Sequence, residues 1–163
     1  MRNLYDDQAF WVERVKRAKS LNDPTLCLYG NLNPVIQNRV EIINKFIHKE
    51  QSILDAGCGY GWLSQYIENS YTGVDQTVAL INYGKELYPN VSLVLSKLQN
   101  LPFDDNSFDW IVSSCVKEGI VEGENINLIE KGRWDKIQNE LLRVAKQGII
   151  WPNYSNEYEI IKR

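Results

Sequence analysis

The segment ILDAGCGYGWLSQYI, residues 53–67, places three alternate glycines between an apolar run and a pattern of helical spacing. Ile53 and Leu54 are typical of a buried strand, and apolar residues recur at helical intervals after the glycines. Glycine reaches backbone conformations with positive φ, and it has no Cβ to keep a ligand away from the main chain. The segment therefore predicts a strand, a glycine turn and a helix, with a ligand lying flat against the turn.

Strand and helix patterns alternate along the rest of the chain. Apolar and β-branched runs predict five strands, at 52–55, 71–75, 91–96, 108–114 and 148–151. Periodicity and end signals predict five helices, at 4–20, at 34–48 with Asn33 as N-cap, at about 61–69, from the cap Thr77 to before Pro89, and at 133–146 with a stop at Gly148. The pattern predicts an α/β fold: a doubly wound, mostly parallel Rossmann-like sheet of about five or six strands with helices on both faces.

Length, charge and cysteine content limit the classes of protein that fit. The 163 residues suit a single domain, which we divide into an N-terminal helix and lid segment (1–33), a ligand-binding core (34–151) and a short C-terminal segment (152–163). The net charge of −3 gives no general attraction for nucleic acid or anionic membranes, so we expect neither as a partner. We find no membrane-spanning run and no signal peptide, which predicts a cytoplasmic location. The three cysteines lack metal-ligand spacing, so we expect neither a metal nor a disulfide.

Two carboxylates beside the glycine turn narrow the class of ligand. Doubly wound sheets bind ligands at the carboxyl ends of their strands, and Asp75 ends the second strand, where such folds place an acceptor for ribose hydroxyls. The turn reads G-x-G-x-G, unlike the G-x-G-x-x-G of dinucleotide sites, and Asp55 lies two residues before its first glycine. A carboxylate there would repel a pyrophosphate but suits a cationic ligand such as S-adenosylmethionine. A nicotinamide-dependent reductase is therefore disfavoured.

Three motifs in order, LDAGCGYG, GVD and LPFDDNSFDWIVSS, resemble the class I S-adenosylmethionine-dependent methyltransferases, particularly the type 11 group. The resemblance covers about residues 34–151. It implies an enzyme that transfers a methyl group from S-adenosylmethionine to a small-molecule acceptor by in-line displacement, leaving S-adenosylhomocysteine. The alternative is a shortened cofactor-binding or scaffold subunit without independent catalytic activity.

The resemblance also implies roles for individual residues. Nine would bind the cofactor: Asp55, Gly57, Cys58, Gly59 and Gly61 under its methionine and ribose parts, Asp75 on the ribose hydroxyls, Gln76 beside the adenine, Leu98 over the adenine ring and Ser113 at the ammonium group. Lys97 stands where the family often has an acidic partner for the adenine amino group. Lysine cannot accept a hydrogen bond, so that contact falls to backbone groups or to Gln99. A general base is optional for this reaction, and Glu118 is the best-placed catalytic candidate, with Lys117 and Tyr29 behind it.

The C-terminal segment has room for one short strand, where the family sheet normally adds two after the fifth. A bare sheet edge with unpaired backbone groups promotes association. We therefore expect residues 149–161 to fold back as a short hairpin or to mediate a homodimer or a partner-protein contact at the open edge, with Trp151 buried. The acceptor pocket would be built from the N-terminal segment and from residues 116–132.

Overall fold

The computed structural model describes residues 7–27, 32–113, 128–152 and 157–163 of the chain. Within these residues the helices are α1 (Gln8–Leu21), α2 (Leu32–Phe46), α3 (Val78–Leu87) and α4 (Leu128–Val144), with 3₁₀ helices at Pro24–Cys27 and Trp62–Gln65. The strands are β1 (Ser52–Ala56), β2 (Ser70–Asp75), β3 (Ser92–Leu95), β4 (Phe108–Val112), β5 (Ala145–Pro152) and β6 (Tyr158–Lys162).

The strands form one sheet in the order β3-β2-β1-β4-β5-β6, in which β6 alone is antiparallel to its neighbour. The predicted doubly wound, mostly parallel sheet is thus confirmed. The chain adds β2 and β3 on one side of β1 and then returns to place β4 on the other side. This reversal lies between β1 and β4, and sheets of this kind bind ligands at the carboxyl edge of such a reversal.

Helices cover both faces of the sheet, as expected. Apolar residues of α1, α2 and α3, such as Val15, Ile43 and Leu80, pack together against one face. On the other face α4 contributes Trp134 and Leu141 to a second buried cluster. None of the helices that the structure describes combines the length and apolar character required to cross a bilayer.

The helix predicted at 61–69 is wrong. The glycine turn is followed only by the 3₁₀ helix Trp62–Gln65, and β2 begins five residues later. Ser64 Oγ donates to Gly61 O at 2.7 Å, a local side-chain bond of the kind that competes with regular helix. The connection between β1 and β2 therefore contains one 3₁₀ turn, which ends at Tyr66, where φ is −123°.

The predicted strict alternation of strands and helices is also wrong, because residues 96–107 join β3 to β4 without a helix. Arg143 of α4 takes over the support of this segment. Its guanidinium donates to Phe103 O at 2.9 Å and Leu101 O at 3.3 Å and pairs with Asp105 at 2.8 Å. Backbone carbonyls that a helix would have satisfied internally are thus satisfied by one side chain.

Several predicted helix ends differ from the structure. α2 begins at Leu32, so Asn33 lies in its first turn rather than before it. Thr77 is the N-cap residue of α3 as predicted, although its side chain makes no capping bond to the helix. α4 ends at Val144 and β5 starts at the next residue, so Gly148 lies inside a strand and does not stop the helix.

The C-terminal strand folds back on β5, as predicted, with Ile150 opposite Ile160 in antiparallel register. Trp151 is buried in this part of the sheet, which was also predicted. Gly148 lies where the pairing of β5 with β4 shifts register, and its φ of 154° favours glycine. A Cβ at Gly148 would collide with the carbonyl oxygen of Ile161. The predicted homodimer stays a prediction.

We expect Gly148→Ala to destabilise the protein by about 2 kcal/mol or more, because the added methyl would push β6 away from β5. The matched control is Gly132→Ala in α4, where a Cβ would meet nothing within 4 Å. That change should stabilise the protein by roughly 0.5–1 kcal/mol through helix propensity. Urea unfolding of both variants measures the difference, and equal stability of the two would contradict the close packing of β6 on Gly148.

Candidate functional site

The glycine turn follows β1 at the carboxyl edge of the sheet. Gly57, Gly59 and Gly61 have φ values of 80°, 60° and 79°, so all three adopt the positive φ predicted from the sequence. A Cβ on Gly61 would in addition lie 2.7 Å from Leu93 Cδ2. Both backbone conformation and space therefore require glycine in this turn.

The turn is held to β2 by its own N–H groups. Four of them donate within the protein: Gly57 and Cys58 to Val74 O at 2.8 and 3.1 Å, Gly59 to Asp75 Oδ2 at 3.0 Å, and Gly61 to Cys58 O at 3.0 Å. A turn that binds pyrophosphate directs such N–H groups at the anion. Here they are already used, so the turn is not arranged as an anion cradle.

Asp75, at the end of β2, joins the turn to the start of α3. One carboxylate oxygen accepts from Gly59 N at 3.0 Å, and the other accepts from Thr77 N at 2.8 Å. Burial raises the pKa of this carboxyl above its ordinary value, and the bonds from Thr77 and Gly59 oppose that rise. Asp75 therefore positions the turn, in addition to the ribose contact predicted for it.

Asp55 lies directly behind the turn and is 4% exposed. Its Oδ2 accepts a hydrogen bond from the Tyr71 hydroxyl at 2.8 Å. Burial raises the pKa of Asp55 from 3.8 to about 6, although the Tyr71 bond and the positive charge of Arg39 lower it. Asp55 is thus an ionised carboxylate at neutral pH, held there at a cost in stability.

Arg39 of α2 is 6% exposed and is the only buried cation among the residues that the structure describes. Its guanidinium carbon lies 5.3 Å from the ring centroid of Trp62, the residue that follows the turn. This placement offsets part of the negative charge of Asp55. With Asp75 nearby, the edge still carries two carboxylates around one glycine turn, which suits a cationic ligand.

The other residues predicted to bind the cofactor lie at or near the same edge. Ser113 follows β4, and its hydroxyl donates to Ala56 O at the end of β1 at 2.8 Å. The carbonyl of Gln76 accepts a 3.4 Å contact from Gln8 Nε2, which brings the start of α1 to the edge. Cys58 is buried, and burial raises its thiol pKa well above the ordinary value, so it stays a protonated filler.

The segment predicted to contact the adenine combines a buried apolar residue with two polar residues, one of them exposed. Leu98 is buried in the core cluster on the α4 face. Lys97 is exposed, whereas Gln99 Oε1 is buried and makes no hydrogen bond. Gln99 thus has an acceptor without a hydrogen bond, whereas the Lys97 side chain has no acceptor.

The catalytic candidate Glu118 lies outside the described residues, as do Lys117 and Tyr29. The same holds for most of the segment 116–132, which was expected to form the acceptor pocket, and for Cys115. The described residues therefore include those predicted to bind the cofactor, but not the catalytic candidates.

Two functional residues were missed by the sequence interpretation. Arg39 lies four residues before Ile43 and so shares the apolar face of α2, and a cation in that position signals a buried partner. Tyr71 lies two residues before Gly73, and a glycine inside a strand marks a close approach of another group. Both signals were present in the sequence but need the fold to be interpreted.

We expect Asp55→Asn to stabilise the protein by about 1–2 kcal/mol near pH 8, because a buried carboxylate is replaced by a neutral isostere. The folded protein raises the pKa of Asp55, so the carboxylate's cost grows as pH rises from about 4 to 6 and is complete above that range. The stability difference should vanish near pH 4, where both forms are neutral. Thermal unfolding at several pH values measures this, and a less stable variant at pH 8 would show that the charge pairing with Arg39 dominates.

The segment that carries the glycine turn, Asp55 and Asp75 matches a known protein family. Residues 54–150 match the family model described as "Methyltransferase domain". The curated relatives include "Putative methyltransferase 235L" of Invertebrate iridescent virus 6, with 35% identity over 71% of this chain and 51% of that protein. A second is the ubiquinone/menaquinone biosynthesis C-methyltransferase UbiE of Campylobacter jejuni, with 25% identity over 67% of this chain and 46% of that protein. The chain thus spans about half the length of these relatives.

A solved structure shows the same fold. The PH0226 protein of Pyrococcus horikoshii superimposes with a TM-score of 0.62 at 23% identity, covering 85% of this chain and 65% of that one. The two chains therefore share their overall fold.

Proposed function

The chain belongs to the methyltransferase-domain family, with S-adenosylmethionine as the cofactor, and we propose that it transfers the methyl group to a small-molecule acceptor. One observation supports this most directly. The N–H groups of the glycine turn are used inside the protein, while two carboxylates, Asp55 and Asp75, lie beside it. This combination suits a ligand that carries positive charge and a ribose, and it disfavours a pyrophosphate.

The residues present fit this cofactor. Asp55 would attract its positively charged amino-acid end, and the carbonyl of Ser113 would accept from the ammonium group. Asp75 has a further lone pair on each carboxylate oxygen with which to accept from the ribose hydroxyls while it holds Gly59 and Thr77. Gln76 would flank the adenine, Leu98 would border the ring, and Gln99 would accept from the adenine amino group.

S-adenosylmethionine supplies a methyl group on a positively charged sulfur, which is a good leaving group. The contribution of the chain is to fix the cofactor in one orientation so that an acceptor approaches in line with the methyl group. The glycine turn permits close approach of the main chain, and the buried carboxylates orient the charged end. Under this mechanism positioning carries most of the acceleration, and Glu118 serves as base only for an acceptor that must lose a proton.

A shortened cofactor-binding or scaffold subunit without independent catalytic activity is the second candidate function, and the geometry disfavours the form that no longer binds the cofactor. The glycine turn has all three positive φ values, and Asp55 and Asp75 both lie at the binding edge. A chain that had lost cofactor binding would have no need to keep a destabilising buried carboxylate at this position. The cytoplasmic location and a contact with a second copy or partner protein at the sheet edge stay predictions.

We expect wild-type protein to bind S-adenosylhomocysteine in a calorimetric titration and to show no binding of NAD. Asp75→Ala should weaken the S-adenosylhomocysteine affinity at least tenfold, because it removes two acceptors for ribose and releases Gly59 N. Binding of NAD in preference to S-adenosylhomocysteine would refute the assignment.

The matched control is Asp109→Ala at the opposite, amino edge of the sheet. Asp109 also accepts from protein groups, Ser52 N and Lys146 Nζ, at 2.8 and 3.0 Å. Its loss should lower the unfolding temperature without changing the S-adenosylhomocysteine affinity. If both variants lose affinity equally, the effect of Asp75 is general destabilisation.

The acceptor class can be tested with methyl-tritiated S-adenosylmethionine. After removal of the unreacted cofactor by chromatography, label should appear in a small-molecule product and not in protein or nucleic acid from the same extract. Transfer to the macromolecular fraction alone would contradict the small-molecule proposal while leaving the cofactor assignment intact.

A further inference from the structure

β2 directs three alternate residues, Tyr71, Gly73 and Asp75, to one face of the sheet, because strand side chains alternate between faces. The register places Gly73 beside Asp55 of β1 on one side and beside Leu93 of β3 on the other. Gly73 therefore leaves a gap in the row of side chains that runs across the three strands.

The gap at Gly73 is filled by its neighbours. A Cβ there would lie 2.8 Å from Cys58 Sγ, 2.8 Å from Leu93 Cδ2 and 2.9 Å from the Tyr71 hydroxyl oxygen. The tyrosine thus reaches across the glycine of its own strand towards β1. Any larger residue at position 73 would displace the hydroxyl or the thiol.

The Tyr71 hydroxyl reaches Asp55 through this gap and donates to its Oδ2 at 2.8 Å. Burial and the charge of Asp55 raise the pKa of Tyr71 above its ordinary value, so the hydroxyl keeps its proton at neutral pH. A hydrogen bond from a neutral donor to a buried carboxylate is strong and directional. The bond fixes the position of Asp55 Oδ2, and because the carboxylate is planar and rigid it thereby restricts the position of Oδ1 as well.

We propose that Tyr71 is a positioning residue, which holds the Asp55 carboxylate in the orientation that receives the positively charged amino-acid end of S-adenosylmethionine. This inference rests on the function proposed above. It assigns the strand glycine at position 73 a role as well, since the glycine gives the tyrosine hydroxyl its path to Asp55.

The groups around Asp55 determine what loss of the hydroxyl would do. Tyr71 and Asp75 face it from β2, Arg39 from α2 and Cys58 from the glycine turn. The Tyr71 bond and the Arg39 charge favour the ionised carboxylate, whereas burial and the Asp75 charge oppose it. Without the hydroxyl the pKa of Asp55 would rise from about 6 towards neutrality, and a proton would compete with the cationic ligand.

The test compares Tyr71→Phe with Tyr83→Phe, a buried tyrosine of α3 that serves as the matched control. S-adenosylhomocysteine, which keeps the ammonium group, is titrated calorimetrically from about pH 5.5 to about pH 8.5. For Tyr71→Phe we expect about tenfold weaker binding at pH 7, an inflection moved upward by about one pH unit, and recovery to within about threefold of wild type at the highest pH. Tyr83→Phe should match the wild type throughout.

A double-mutant cycle separates positioning from general packing. In an Asp55→Asn background Tyr71→Phe should cause less than a twofold further loss of affinity, because the tyrosine acts through Asp55. An equal loss in both backgrounds, or an unchanged pH profile, would overturn the inference.

Carboxyl ¹³C titration of Asp55 by NMR, without any ligand, makes failure of the inference distinguishable from failure of the proposed function. The Asp55 inflection should move upward in Tyr71→Phe and not in Tyr83→Phe. If the wild type does not bind S-adenosylhomocysteine, the proposed function is refuted, and so is the role of Tyr71 in cofactor binding. Normal binding together with an unshifted Asp55 titration would overturn the Tyr71 inference alone.

Discussion

The attachment of the glycine turn to β2 is the interaction on which the rest of the site depends. Val74 O accepts two N–H groups of the turn, and the carboxylate of Asp75 accepts a third. The same carboxylate receives Thr77 N, so the turn and the first residues of α3 are fixed by one side chain. Because these bonds are made by the strand next to β1, the turn keeps its shape without help from a bound ligand.

The segment between β3 and β4 is also held in place by side chains, in this case by side chains of α4. It crosses from one side of the sheet to the other without a helix, and its carbonyls depend on Arg143 of α4. Glu140 strengthens this arrangement, since it accepts from Leu101 N at 2.8 Å and pairs with Arg143 at 2.8 Å. The segment predicted to lie beside the adenine is therefore held in place by side chains of α4.

Much of the fold follows from sequence patterns that report local physics. Positive φ at Gly57, Gly59 and Gly61 and the carboxylate at the end of β2 were predictable because glycine and strand-end aspartate have few alternative uses. The helix expected at 61–69 is only a 3₁₀ turn that ends at Tyr66, so the apolar spacing was present without the backbone conformation of a helix.

What the sequence could not provide is the meeting of residues that are distant in the chain. Tyr71 and Asp55 are hydrogen-bonded across neighbouring strands, and the bond exists only because β1 and β2 pair in one particular register. The burial of Arg39 depends on α2 lying over Trp62. The nine residues predicted to bind the cofactor were inferred from family resemblance, and the structure adds which of them also support one another.

The completed hydrogen bonding of the turn has a consequence for turnover. Since the turn is already ordered, little conformational entropy would be lost when a ligand enters, and shape alone would not separate cofactor from product. The two differ in one methyl group and one positive charge on sulfur. Under the proposed function Asp55 and Asp75 contact the ammonium group and the ribose, which both molecules carry, so only the longer-range attraction of these carboxylates to the sulfonium charge would favour the cofactor over its product.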